Sequence, residues 1–446
     1  MTIEQLKQVF HERGIRHVKL GVFDLDGVLR GKYVSPEKFF SAAEGGLGFC
    51  DVIFGWDSSD ALYDNVSVTG WHTGYPDTDA RIDPTTFRVI PWERDTALLL
   101  LDIDLPMAPR TVLRNVEEKA RTMGYRAFFS AEYEFFFFRE TAQSAREKNY
   151  RNLTPLSPGM FGYSALRAST NAEFLHQILD SLREYDIELE ALHTETGPGV
   201  YEAAIRYAPV LKAADKAALF KTAIKEIAAR NGLIVTFMAK WNAALPGCSG
   251  HLHQSLWDLD AQTNLFHTDS KGDDTGMSEL MLQYIGGQLA LMPEVMAMIC
   301  PTINSYKRTV PGTWAAINAS WGVENRTTAL RAIPSGAKST RVEYRLAGAD
   351  GNPYLTMAAA LASGLYGVEN KIAPQAPVSS SAYEGKLPLL PRTLEESTAR
   401  MKSSKVVRAL LGDAFVDHFT ATREWEVRQA QAAVSSWELE RYFEII

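Results

Sequence analysis

Three segments of this chain set charged or imidazole side chains two residues apart, a period that gathers them on one face of a strand and scatters them around a helix. Glu132 and Glu134 pair in this way in SAEYEFFFF, His251 and His253 in SGHLHQS, and Arg341, Glu343 and Arg345 in STRVEYR. A fourth segment of strand character, HTETGPGVYE, carries Glu195 and Glu202. Carboxylates crowded on one sheet face repel each other unless divalent cations neutralise them. An oxygen-rich donor set with a single imidazole suits Mg²⁺ or Mn²⁺ better than a thiolate-seeking metal. The residues thus imply a polynuclear metal site that holds a phosphorylated substrate.

Composition narrows the class. A chain of 446 residues exceeds one typical core, so two domains are expected. The formal charge of −8 argues against a general binder of nucleic acid or anionic membrane. Cys50, Cys248 and Cys300 lack paired spacing, which disfavours both a disulfide framework and a zinc knuckle. No apolar run approaches the ~18 residues of a membrane span, and MTIEQLKQVFHERG reads as a charged amphipathic helix rather than a signal peptide. The cytoplasm is the expected compartment.

Along the chain, a helix over 1–14 leads into the strand HVKLGVFDLD, a turn at Gly27 and the return strand VLRGKYVS. The Gly-rich stretch from Glu44 to Gly48, then FGWDSSDALYDN and TGWHTGYPDTDARIDP, read as long functional loops. FRVIPW and TALLLLDID restore strand character. PMAPR reads as a linker, which puts a boundary near residue 108 and gives domains 1–107 and 108–446. Beyond it, strands alternate with helices, one of them beginning at ALFKTAIKEIAARNG, before a helical C-terminal part. SSSAYEGKLP, from Ser379, reads as an exposed loop.

Taken singly these motifs are weak, because an alternating charged strand can be a solvated face held by surface ion pairs. Taken together and in order they are specific. EYE, HTETGPGVYE, SGHLHQS, NSYKRTVPG, ENRTTALR, STRVEYR and GNPYL resemble the type I glutamine synthetase family over nearly the whole chain. The resemblance implies an α+β fold, with a small N-terminal β-grasp domain and a catalytic α/β domain whose curved antiparallel sheet carries the site. It also implies a homo-oligomer, a dodecamer of two stacked hexameric rings in which a neighbour's N-terminal domain completes each site. Glu134, Glu195 and Glu202 would ligate one metal, and Glu132, His251 and Glu343 a second, with two or three Mg²⁺ or Mn²⁺ per site. Gly247, Arg308 and Arg345 would hold glutamate, Arg326 the transferring phosphoryl group, and Ser255, Arg331, Lys338 and Arg341 the ATP. Arginine forks suit these anions because their planar donors match carboxylate and phosphate oxygens.

One departure decides the nucleophile. Where the family carries an acidic residue shortly after the VPG turn, KRTVPGTWAA presents Trp314. An indole is no base and removes a charge that would attract ammonium. It suits an alkyl or aryl substituent and can face a cationic amine. The family's other amine-pocket group is an aspartate beside paired serines, matched here by Asp57, with Asp60 as the alternative register, next to Trp56 and Tyr63. A second departure puts Pro246 where a glutamate-contacting asparagine is expected. Tyr383 lies near the position of a modified tyrosine, but its surroundings do not match.

The expected activity is therefore an ATP-dependent ligase that joins the glutamate γ-carboxylate to an organic primary amine through γ-glutamyl phosphate. The alternative is ordinary glutamine synthesis from ammonia. Two rivals weigh less. VFDLDGVL resembles the start of a haloacid-dehalogenase-type phosphatase, yet its strand enters a hairpin, where Asp24 and Asp26 serve a turn. A purely structural role would not require six metal-ligand candidates.

Overall fold

The computed structural model describes residues 1–269, 275–384 and 387–446. Its N-terminal part holds helix α1 (Ile3–Glu12), strands β1 (His17–Phe23) and β2 (Leu29–Val34), helix α2 (Pro36–Gly45), and strands β3 (Leu47–Cys50), β4 (Asp77–Val89) and β5 (Thr96–Ile103). Thr2 and Gln5 form a capping box on α1, and Pro36 opens α2 behind the Ser35 cap. The sheet order is β2-β1-β5-β4-β3, with β1 parallel to β5 and the other pairs antiparallel. This is the expected grasp arrangement.

The larger part begins with α3 (Pro109–Thr122) and β6 (Arg126–Phe138), then α4 (Ala142–Glu147), α5 (Ala165–Ser169) and α6 (Ala172–Glu184). Strands β7 (Leu189–Thr194), β8 (Val200–Ile205) and β9 (Ala208–Pro209) precede the long helix α7 (Val210–Arg230). After β10 (Ile234–Thr236) and β11 (Gly250–Trp257) come α8 (Glu279–Ile299), β12 (Trp321–Val323), β13 (Leu330–Ile333), β14 (Arg341–Tyr344) and α9 (Pro353–Glu369). Helices α10 (Leu394–Ser403), α11 (Lys405–Leu411), α12 (Asp413–Ala432) and α13 (Ser436–Tyr442) finish the chain. The main sheet runs β12-β13-β14-β11-β6-β8-β7, with β9 and β10 also paired to β6. Its central strand β6 buries Ala127, Phe129, Ala131, Tyr133 and Phe135 on one face, where Tyr133 and Phe135 meet Phe220 of α7. The opposite face is left to Glu132 and Glu134. No helix among the described residues is long and apolar enough to cross a membrane.

Two buried polar clasps join the parts. Arg110 of α3 donates to Asp215 of α7 at 2.9 and 3.0 Å, to Asp83 of β4 at 2.7 Å and to Asp102 of β5. At the other clasp Asn352 caps α9 and donates to the carbonyls of Asp24 and Leu25. Gly27 takes φ +77 in that β1–β2 turn, and a Cβ there would stand 3.4 Å from Asn352 Cα. Asp24 accepts from the Asp26 and Val28 amides and pairs with Arg30, while Asp26 pairs with Arg423. Both aspartates thus serve the turn, as expected.

Several sequence expectations need correction. Residues 77–84 are not loop: they form the first half of β4, where cross-strand pairing with β3 and β5 overrides the poor strand propensity of aspartate and proline. Pro84 falls where the β4–β5 register shifts, the position in a ladder that tolerates a missing donor. The stretch from Glu44 to Gly48 ends α2 and opens β3. Helix α7 starts at Val210, eight residues before the expected ALFKTA onset. The loop from Ser379 is partly packed: Ala382 is buried, Asn318 donates to its carbonyl, and the Tyr383 hydroxyl donates to Ala315. Gly385 and Lys386 of that loop lie outside the described residues.

His418 of α12, buried, is hydrogen-bonded through Nε2 to the Phe54 carbonyl at 2.9 Å and so fastens the N-terminal part to α12. Burial lowers its pKa to about 4, with the Phe54 bond opposing and Arg423 reinforcing the shift. The unfolded chain protonates near 6.5, so the folded protein binds fewer protons between pH 6.5 and 4 and loses stability as pH falls through that window. Thermal unfolding should show a loss of up to about 3 kcal/mol across it, and His418→Gln should remove that component.

Candidate active site

The register of the main sheet decides which polar side chains meet. Glu132 of β6 stands opposite His251 of β11, and Glu134 opposite Glu202 of β8. One ladder outward, His253 faces Glu343 of β14, which in turn faces Arg331 of β13. On the other flank Glu202 faces His193 of β7. Predicted residues far apart in sequence therefore share one face. His251 Nδ1 lies 3.3 Å from Glu343 and 3.8 Å from Glu132. His193 Nε2 lies 3.2 Å from Glu202, with its Nδ1 3.7 Å from Glu195. Arg345 and Arg331 reach Glu343 at 2.6 and 3.1 Å.

Burial shapes the charge of this row. It raises the pKa of Glu134, which sits beside Glu202 with the Ser249 amide donating to it at 2.6 Å. At Glu132 burial also opposes ionisation, but His251 and His253 outweigh it and hold the carboxyl well below its ordinary range. Glu343 is brought to about 2 because His251 and Arg345 overcome its burial.

The donor set fits divalent cations. Glu132, Glu202 and His251 offer ligand atoms within 4.8 Å of one another, as do Glu132, His253 and Glu343, and His193, Glu195 and Glu202. The sets share Glu132 and Glu202, and Glu134, expected as a ligand, belongs to none of them. Hard oxygen donors with imidazole match Mg²⁺ or Mn²⁺. Arg341 Nε donates to His253 Nδ1 at 3.0 Å, so Nε2 is the ring nitrogen left to face Glu132 or an ion. That buried Nε2 stands 3.2 Å from Glu132 without a directed hydrogen bond.

Above the row lies a cavity of about 1010 Å³. All of the acids that line it belong to the predicted set: Glu132, Glu134, Glu195, Glu202 and Glu343. Facing them are Lys240, Arg308, Arg326, Arg331, Arg341 and Arg345. The cavity thus has an anionic floor and a cationic wall, charges that suit metal on one side and phosphate or carboxylate on the other. Arg308 is buried, donates through Nη2 to the Leu346 carbonyl, and keeps a buried Nε with no acceptor among the described residues. Gly247 lies against it, where a Cβ would stand 2.7 Å from Arg308 Cγ and 2.3 Å from the Ala239 carbonyl. Trp314 lines the rim at φ +59, 69% exposed, a conformation that bulky L-residues seldom adopt.

Four expected residues are not brought to this cavity. Ser255 sits farther along β11 and accepts from Trp257 Nε1, and Lys338 is exposed on the loop before β14. Asp57 caps the amides of Ser59 and Ala61, and Trp56 lies under Arg30, both beside the N-terminal hairpin. Conversely, His193, Tyr163 and Lys240 line the cavity without having been singled out, and Tyr163 stacks on His193 at 4.5 Å. For His193 the signal was present, since it precedes Glu195 by two.

Residues 106–442 match the glutamine synthetase catalytic domain family. The chain belongs to the glutamine synthetase family. Among its relatives, the type-1 glutamine synthetase 2 of Dictyostelium discoideum is 50% identical over 96% of this chain and 84% of the relative. The glutamate–isopropylamine ligase of a Pseudomonas species is 39% identical over the full length of both. A solved structure of GmaS with ADP aligns with a TM-score of 0.85 and 26% identity, covering 98% of this chain and 99% of that one. This glutamine synthetase family member is accordingly an ATP-dependent carbon–nitrogen ligase. Gly247→Ala should displace Arg308 and cost about 1–3 kcal/mol of stability, read by denaturant unfolding, together with a raised KM for the acid substrate.

Proposed function

We propose that this enzyme joins the γ-carboxylate of glutamate to an organic primary amine through γ-glutamyl phosphate. The observation that carries the reading is Trp314 on the cavity rim. The loop around it has no carboxylate, and every acid that lines the cavity is one of the metal-ligand candidates read from the sequence. An ammonium berth needs negative charge left over for it. Here the exposed apolar surfaces of Trp314, Met160 and Tyr163 line the mouth instead, suited to an amine's carbon substituent. The relative that acts on isopropylamine agrees with this assignment.

In this reading Glu134, Glu195 and Glu202 hold one divalent ion and Glu132, His251 and Glu343 another. Bound there, Mg²⁺ or Mn²⁺ supplies charge neutralisation for the ATP phosphates. Arg308 and Arg345 grip the glutamate carboxylate as forks, with the Gly247 backbone beside them. Arg326 faces the charge that develops on the γ-phosphoryl group as the glutamate γ-oxygen attacks and ADP leaves. Arg331 and Arg341 serve the ATP phosphates, and Ser255 and Lys338 would have to approach from the cavity's outer edge. The amine nitrogen then attacks the acyl phosphate, an amide forms, and phosphate departs.

Asp57 and Trp56 act in this proposal at a neighbouring chain's cavity, which requires a homo-oligomer; a dodecamer of two hexameric rings is our assignment. The extent of exposed apolar surface supports association: Trp71, Trp437, Phe443, Ile445 and Ile446 are each more than half exposed. We divide the chain into units 1–107 and 108–446 on the same reading, and assign it to the cytoplasm.

The second reading, glutamine formation from ammonia, draws on the name of the relative at 50% identity. Phosphate release with ATP, glutamate and a panel of amines decides between them. Organic amines should exceed ammonium by at least about tenfold in kcat/KM, a difference near 1.4 kcal/mol. Trp314→Glu should narrow or reverse that ratio. Selective use of ammonium by the wild type would defeat the assignment.

Metal dependence has its own readout. Mg²⁺ or Mn²⁺ should raise the Tm, and Glu134→Gln, which removes one of two adjacent half-buried carboxylates, should stabilise the metal-free protein while shrinking the metal-induced rise.

A further inference from the structure

Residues 240–247 form a loop along the catalytic cavity, and most of them, Lys240 and Gly247 included, line it. The Cys248 amide donates to the Ala239 carbonyl at 2.9 Å and closes the base of this loop. Inside it, the Ala244 amide donates to Asn242 Oδ1 at 2.9 Å, and Lys240 Nζ donates to the Leu245 carbonyl at 2.5 Å. That carbonyl belongs to the peptide between Leu245 and Pro246, and a residue before proline is biased to extended backbone. Pro246 brings neither a polar side chain nor a backbone N–H where an asparagine was expected. The Lys240 ammonium therefore ties down the stretch that leads into Gly247.

A second device fastens the same loop to the arginine it faces. The Asn304 side chain accepts from the Lys240 amide through Oδ1 at 2.7 Å and donates through Nδ2 to the Lys240 carbonyl at 2.9 Å. Asn304 immediately precedes the single turn Ser305–Lys307, which delivers Arg308. That turn is itself anchored, since the Ser305 hydroxyl donates to Asp350 at 2.5 Å. Burial lowers the Lys240 pKa and the charge of Arg308 lowers it further, so the two cations stand near enough to repel. The pair of amide bonds from Asn304 holds them at a spacing that repulsion would widen.

We propose that Asn304 and Lys240 are positioning residues for the acid substrate: Asn304 registers the loop against the Arg308 turn, and Lys240 holds the Leu245 carbonyl so that the Gly247 backbone and the Arg308 guanidinium meet one carboxylate together. This rests on the reading that places the glutamate carboxylate at Gly247 and Arg308. The effect is confined to that substrate. Arg331 and Arg341, on the nucleotide side, stand on β13 and β14, to which neither positioning residue is hydrogen-bonded among the described residues. Releasing either tie lets the loop drift from Arg308, which weakens the grip on the acid and leaves the nucleotide site in place.

The test is steady-state phosphate release by the full chain, with whichever of the amines or ammonium the wild type turns over fastest, varying glutamate and ATP separately. Lys240→Met and Asn304→Ala should each raise the KM for glutamate at least about fivefold, with kcat and the KM for ATP within about twofold of wild type. Lys240→Arg, which keeps a donor for the Leu245 carbonyl, should recover most of the loss. Asn304→Ala alters no charge, so its effect separates positioning from lost electrostatic attraction, and it decides the matter if Lys240→Met does not fold. The double variant should cost less than the product of the single effects, because both act through one loop. An unchanged glutamate KM in Asn304→Ala, or equal rises in both KM values, would overturn the proposal. Arg308→Ala is the control: an unchanged glutamate KM there would defeat the carboxylate site and the proposal with it, whereas a rise in Arg308→Ala without one in Asn304→Ala defeats the proposal alone.

Discussion

The structure turns on like charge collected on one face of a sheet whose other face is apolar. Glu132 and Glu134 leave β6 on the side opposite Tyr133 and Phe135, which pack on Phe220 of α7. Neither set can move without the other, because a one-residue slip of β6 would bury the glutamates against α7 and expose the aromatic rings. The hydrophobic core thereby holds the carboxylates at separations that electrostatics alone would resist. That opposition makes the face a receptor for divalent cations.

The cationic side of the cavity is built differently. Arg308 lies just past the segment after α8, Arg326 in the turn before β13, and Arg345 one residue beyond β14, with its Nε on the Arg326 carbonyl. Arg308 is held by the Leu346 carbonyl and Arg345 by the Arg326 carbonyl and Glu343, so these two forks are oriented in advance. Preorganised donors of this kind favour charge that appears during a reaction. Arg345 and Glu343 also connect the two poles directly.

Much of this was legible from spacing. The period of two in SAEYEFFFF and SGHLHQS foretold shared faces, and the chain delivered them through the Glu132–His251 register. Helices with clear caps and proline starts were equally readable. The first half of β4 was not, because aspartate and proline read as loop until β3 and β5 bracket them. His193 followed the same spacing rule as the other pairs but was hidden behind the two glutamates of its segment. Ser255 and Lys338 stand in the expected motifs, yet β11 carries Ser255 away from the cavity and Lys338 remains on an exposed loop.

Local sequence by itself determined which residues could act together: alternation of side chains along a strand follows from backbone geometry and needs no partner. It also determined that an indole occupies a position where a carboxylate was expected. Tertiary structure alone decided distances and company. Strand register brought Glu343 to His251, long-range packing assigned Arg341 to His253, and chain crossing set Asp57 beside the N-terminal hairpin rather than this chain's own cavity. The physical reason is that alternation is a property of adjacent residues, whereas register and loop path minimise the free energy of the whole fold.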